Sequence, residues 1–133
     1  MKLSQTNIYK LENFLTKIQV DIYPEPPTPL HNELTPKMVD YVMQNGYLHA
    51  GSKILDIGCG QGVALEAFSK KGFSPVGITL GVDDLEICRR KGFEVYEMDQ
   101  SFLSFGDEQF DFVWCRHCLE HSIFPYFTLS ELS

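Results

Sequence analysis

The stretch Ile54-Leu55-Asp56-Ile57-Gly58-Cys59-Gly60-Gln61-Gly62 constrains the fold more than any other part of the chain. A short apolar run of strand type leads into alternating glycines, and a helical pattern follows directly. Glycine tolerates the backbone angles of a tight turn and lets a ligand approach the main chain closely. The start of the following helix offers free N–H groups and the positive end of the helix dipole. Asp56 stands at the carboxyl end of the strand, where open parallel sheets bind their ligands.

The segments that follow alternate in the same way. Lys53–Ile57 reads as a strand and Val63–Lys71 as a helix burying Val63, Leu65, Ala67 and Phe68. Pro75–Leu80 reads as the second strand, Asp83–Lys91 as a helix, Glu94–Met98 as the third strand and Phe110–Cys115 as the fourth. The second helix opens on Asp83, Asp84 and Glu86 and ends on Arg89, Arg90 and Lys91, which suits the helix dipole. Lys71-Gly72-Phe73 and Lys91-Gly92-Phe93 punctuate successive helix-to-strand turns. The order β-α-β-α-β predicts a parallel sheet with right-handed crossovers.

The region before Lys53 has another texture. Ile8, Leu11, Leu15, Ile18 and Ile22 form an amphipathic stripe over residues 6–22. This helix is expected to pack on the domain, or to form a lid over a ligand site. Five of the seven prolines fall within Tyr23–Pro36, which predicts an extended connector. Thr35-Pro36 then has the form of an N-cap and first helical residue, and Asn45-Gly46 that of a helix stop. Between them Met38, Val39, Val42 and Met43 are the expected buried face. These signals divide the chain into an N-terminal helix and connector, 1–34, and a folded domain, 35–133. Tyr23, Tyr41 and Tyr47 are expected in the core rather than in an acceptor pocket.

Charge and composition narrow the function. Eleven Lys and Arg against 18 Asp and Glu give a net charge of −7, which disfavours the broad basic footprint of a nucleic-acid binder. No run reaches the ~18–20 apolar residues of a membrane span. Met1–Tyr9 has no long apolar stretch of the signal-peptide kind. Four cysteines, Cys59, Cys88, Cys115 and Cys118, are too few for a disulfide scaffold, so reduced thiols and a cytoplasmic location are expected.

A dinucleotide fingerprint would place a glycine where Val63 stands and an acid at the end of the second strand, where Thr79 stands. Both departures count against NAD or a flavin. The loop instead resembles motif I, D-x-G-x-G-x-G, of class I S-adenosylmethionine-dependent methyltransferases. The resemblance covers roughly residues 34–133 and continues in Val76-Gly77-Ile78-Thr79-Leu80, Glu97-Met98-Asp99, Phe110-Asp111-Phe112-Val113-Trp114 and His117-Cys118-Leu119-Glu120-His121. It points to the small-molecule group that includes ubiquinone-biosynthesis enzymes. It implies S-adenosylmethionine as cofactor and methyl transfer to a small-molecule acceptor. Asp56, Gly58, Cys59, Gly60 and Gly62 would surround the methionine part, with the main chain near Arg116 helping to hold its ammonium. Thr79 replaces the acid with which most members grip the ribose, leaving one neutral hydroxyl there. Asp99 matches the position that meets the adenine amine, with Gln100 and Ser101 beside it, although Asp99 also suits a simple turn cap.

Cys115-Arg116-His117-Cys118-Leu119-Glu120-His121 carries further spacings. Cys115 and Cys118 form C-x-x-C, but no second pair completes a zinc ribbon. His117-x-x-Glu120-His121 has the spacing of inverted zinc proteases, in which a helix would put all three on one face. No third ligand segment accompanies it, and no metal is expected. In the methyltransferase reading, His117, Glu120 and His121 orient the acceptor or remove its proton, or Glu120 and His121 merely fix the loop.

The family's sheet has seven strands, whereas four are legible here. The expected fold is therefore α/β, a partial Rossmann-like parallel sheet in which the fourth strand is an apolar edge. Three arrangements would account for it: a piece of a longer protein, a homodimer through that edge, or the N-terminal helix folded over the gap. The alternative to an enzyme is a non-catalytic cofactor-fold module acting in protein interaction.

Overall fold

The computed structural model describes residues 2–133. Its centre is a four-stranded sheet of β1 (Ile54–Ile57), β2 (Val76–Thr79), β3 (Glu94–Glu97) and β4 (Phe112–Cys115). The spatial order is β3-β2-β1-β4, and every pair is parallel. Leu55 sits opposite Val76 on one side and Val113 on the other. The central strand β1 is buried along its whole length, as a strand covered on both faces should be.

Helices α1 (Gln5–Ile22) and α2 (Pro29–Gln44) precede the sheet. Helices α3 (Val63–Lys70) and α4 (Val82–Arg90) are the two crossovers, and α5 (Pro125–Leu132) follows a 3-10 turn at Leu119–His121. The pleat of β1 sends Ile54 towards α2 and α3, where it packs with Val39, Ala64, Ala67, Phe68 and Trp114. Leu55 and Ile57 point the other way, to Ile78, Cys118, Phe110 and Leu132. The two Gly-Phe punctuations end their helices alike. Gly72 (φ 90°) and Gly92 (φ 88°) are left-handed, and Phe73 and Phe93 donate back to the Phe68 and Cys88 carbonyls at 3.2 and 3.1 Å.

The start of α2 differs from the sequence expectation. The helix begins at Pro29, capped by Thr28, whose hydroxyl accepts from the His31 N–H at 3.1 Å; Pro36 lies inside it. Both Thr28-Pro29 and Thr35-Pro36 carry the N-cap signature, and the earlier one starts the helix. The extended connector is correspondingly short, and the 34/35 division drawn from the sequence falls inside α2. In α3 the buried face is Ala64, Leu65, Ala67 and Phe68, with Val63 only half-buried. Tyr41 and Tyr47 are 61% and 62% exposed, so neither belongs to the core.

The stripe of α1 is half-buried at each of its five positions, and none of its residues is buried. This helix is pinned near its C-terminal end. Gln19 Nε2 donates to the Leu80 carbonyl at 2.8 Å, just past β2, and to Oε1 of Glu97, the last residue of β3, at 3.0 Å. Among the described residues, no helix is long and apolar enough to cross a membrane.

Candidate functional site

The carboxyl ends of β1, β2 and β3 open onto one cleft. Gly58 (φ 66°) and Gly60 (φ 49°) turn the chain out of β1, and Gly62 (φ 90°) starts α3. These left-handed angles are the ones glycine adopts without strain. The three glycines do different work. Gly58 borders the cleft. A Cβ on Gly62 would lie 3.1 Å from Cys88 Sγ, so Gly62 serves the packing of α3 against α4. Cys59 is buried with its Sγ against Gly77, where a Cβ would come within 2.8 Å of the sulfur. Its N–H donates to the Ile78 carbonyl at 2.9 Å, fastening the loop to β2.

Asp56 is 3% exposed, and its Oδ2 has no hydrogen-bond partner. Burial, with a smaller contribution from Cys88, pushes its carboxyl well above the ordinary carboxylate range. Such a group gains most when a cationic donor reaches it. Gln100 lines the cleft. Its Nε2 donates to the Cys118 carbonyl at 2.6 Å, leaving Oε1 buried and unpartnered. Asp99 Oδ1 accepts from the Ser101 N–H at 2.8 Å, so it caps its turn while also lining the cleft. Thr79 is 2% exposed and accepts from the Gly81 N–H at 3.3 Å.

The segment Tyr23–Glu25 lies across this cleft as a strap. The Tyr23 hydroxyl lies near the Thr79 side chain, and its pKa is pushed up to about 12 by burial, then by Glu25, Asp84 and Asp99. Beneath the strap a cavity of about 30 Å³ remains between Ile18, Thr79, Asp99, Gln100 and His117. That holds a water or two, whereas ligand pockets run to ~300–1,000 Å³. On the strap's other side a cavity of about 530 Å³ opens against Gly60, His31, Arg116, His117 and His121. Arg116 is held there by its Nη1, which donates to the buried Thr35 hydroxyl at 2.7 Å.

The Cys-His segment is not the helix that the H-x-x-E-H spacing would require. His117 is left-handed (φ 55°) and precedes the short turn of Leu119–His121. His117 Nδ1 lies 3.7 Å from Glu120 Oε1, with both side chains exposed. His117 and His121 border both cavities; Glu120 borders neither. Among the described residues, no three His, Cys, Asp or Glu side chains gather as a metal site. Cys115 and Cys118 stand side by side with their sulfur atoms in contact, while Cys59 and Cys88 are free and buried. The turn at His117 brings their two Cα atoms to 6.2 Å.

Three participants escaped the sequence reading. Glu25 stands near His117, His121 and Glu120, and burial raises its pKa above the ordinary value. His31 reaches the same cavity from α2. Asp84, read from the sequence as a helix-end charge, is fully buried.

A family model described as a methyltransferase domain matches residues 30–132. This chain belongs to that family. The methyltransferase domain is 32% identical over 100 residues to the ubiquinone biosynthesis O-methyltransferase of Aliivibrio fischeri strain MJ11, covering 70% of this chain and 42% of the relative. A SAM-dependent methyltransferase structure from Archaeoglobus fulgidus superposes with a TM-score of 0.64 at 28% identity, over 74% of this chain and 45% of that one. A putative methyltransferase from Bacillus halodurans gives a TM-score of 0.62 at 27% identity, over 71% and 44%. The chain thus spans under half the length of each of these relatives. The family usually uses S-adenosylmethionine, and this methyltransferase domain has donor-seeking groups that suit it. The buried unpartnered oxygens of Asp56, Asp84 and Gln100 stand around the loop and the strap, and the cofactor brings an ammonium, a ribose diol and an adenine amine.

Proposed function

We propose that this chain binds S-adenosylmethionine in the cleft under the strap and serves methyl transfer to a small-molecule acceptor. The observation that carries the reading is the pair of orphaned buried acceptors, Asp56 Oδ2 in the strand that enters the glycine loop and Gln100 Oε1 in the lining of the cleft, in a methyltransferase family member. Asp56 would hold the ammonium, Gly58 and Gly60 would admit the cofactor to the main chain, and Asp99 and Gln100 would take the adenine amine. Cys59 and Gly62 support the loop from behind, and Arg116 stands at its acceptor side. Thr79 would exchange its Tyr23 neighbour for the ribose. When bound, the cofactor supplies a methyl group on a sulfonium, open to in-line displacement.

The residues of the chain would then align and deprotonate the acceptor. The larger cavity beside the glycine loop has room for a small molecule. Holding an acceptor in line is worth ~7–11 kcal/mol in well-oriented reactions. His117 turns Nδ1 towards Glu120, which leaves Nε2 as the proton-accepting atom. His121 and Glu25 border the same space. The relative named an O-methyltransferase supports a hydroxyl as the accepting group.

Titration of purified Asp56→Ala with S-adenosylhomocysteine tests the cofactor site. Affinity is expected to fall on the order of tenfold or more, with an unchanged far-UV circular dichroism spectrum. Equal affinity in the variant would overturn the assignment. A second reading, a cofactor-fold module used for protein interaction, draws on the strap that fills the cleft and on the unpaired outer edge of β4. It is favoured if the folded wild-type chain binds no sulfur cofactor and sediments as a dimer.

A further inference from the structure

The end of β2 lacks a carboxylate, yet the structure places one just beyond it. Asp84 lies on the first turn of α4, five residues after Thr79, and is fully buried. Its Oδ2 accepts from the Glu25 N–H at 3.3 Å, and its Oδ1 has no partner. A Cβ on Gly81 would fall 2.7 Å from Asp84 Oδ2 and 2.9 Å from the Tyr23 ring. The absence of a side chain at Gly81 is therefore what lets the carboxylate and the strap meet, just behind the end of β2. A buried carboxylate wants two donors, and here one is borrowed from the strap while the other is missing.

We infer that Asp84 is the acid that grips a ribose 2′,3′-diol in this chain, in place of the carboxylate missing at Thr79. This rests on the cofactor reading above. A vicinal diol carries two O–H donors side by side, which match the two oxygens of one carboxylate. As the diol arrives, the Glu25 N–H leaves Oδ2 and the strap lifts from the cleft. The ligand and the strap thus compete for the same carboxylate. Asp83, its neighbour on the same turn, is exposed and takes no part.

The test is calorimetric titration of the full chain with S-adenosylhomocysteine and its 2′-deoxy and 3′-deoxy analogues. Wild type should bind the parent compound on the order of ten- to a hundredfold more tightly than either analogue. Asp84→Asn should weaken the parent compound by a similar factor and lose the preference, while Asp83→Asn should match wild type. Asp84→Ser, a smaller replacement, should lose the preference as well, which keeps the test decisive if Asp84→Asn folds poorly. Equal wild-type binding of all three compounds would overturn the inference, as would a preference retained in a folded Asp84→Asn or Asp84→Ser. Failure of wild type to bind any of them would instead remove the cofactor reading itself.

Discussion

The Glu25 carbonyl oxygen lies 3.7 Å from where a Cβ on Gly60 would stand. The strap therefore lies against the glycine loop, at a distance that even a Cβ on Gly60 would meet in ordinary contact. From there Tyr23 reaches Thr79, and Gln19 fastens the end of α1 to Leu80 and Glu97. Sequence-distant segments thus close one cleft with a few polar contacts and no buried residue of α1. An element with so little buried apolar surface opens at low cost.

Tyr23→Ala should consequently bind S-adenosylhomocysteine more tightly than wild type, by about three- to tenfold, because the binding-competent state no longer competes with the side chain. Weaker binding by the variant, measured by the same titration, would contradict this and make Tyr23 a cover over the bound ligand.

Asp56 trades stability for its position. Burial raises its pKa in the folded chain, so the native state holds a proton that the unfolded chain releases above about pH 4. Its contribution to stability therefore worsens as pH rises from there towards the folded-state value. Asp56→Asn removes that slope and should be more stable than wild type at neutral pH by ~1–3 kcal/mol. Thermal melts from pH 4 to 7 check it; parallel curves for the two proteins would count against it.

His31 should titrate below the ordinary histidine value of about 6.5, because burial and then the charges of Arg116 and His117 disfavour its cation. Its contribution to stability is then lost as pH falls through that ordinary value, since the unfolded chain takes up the proton first. Histidine ring signals in an NMR titration give the value directly. Arg116→Gln should move it upward, and no movement would remove Arg116 as a cause.

Two glycine substitutions separate strain from collision. Gly46→Ala meets only the left-handed backbone (φ 74°) with open space around it, and should cost roughly 1 kcal/mol. Gly62→Ala adds a 3.1 Å contact with Cys88 Sγ to a φ of 90°, and should cost roughly 1–3 kcal/mol. Denaturant melts of both variants would show the second transition at lower denaturant; the reverse order would contradict the packing described for Gly62.

The sheet was legible because each strand and crossover carries its own local signal. The glycine loop, the Gly-Phe stops and the apolar β1 run need no partner to be recognised. The start of α2 was misplaced because two Thr-Pro pairs, seven residues apart, offer the same capping chemistry. Only tertiary packing, which buries Thr35 under Arg116, selects between them. Asp83 and Asp84 look alike in sequence, and burial alone distinguishes the exposed charge from the orphaned one. Tyr23 and Glu25 sit in a proline-rich connector with no periodicity, so their place over the glycine loop depends on how far α1 reaches. The H-x-x-E-H spacing makes no single helix face because a left-handed His117 breaks the helix it would need.

The most direct test of the account is calorimetric titration of the purified full chain with S-adenosylmethionine and S-adenosylhomocysteine, with NAD as control. The cleft described here predicts micromolar binding of a sulfur compound and none of NAD. A well-folded chain that gives no binding heat with either sulfur compound, or that binds NAD equally well, would contradict it.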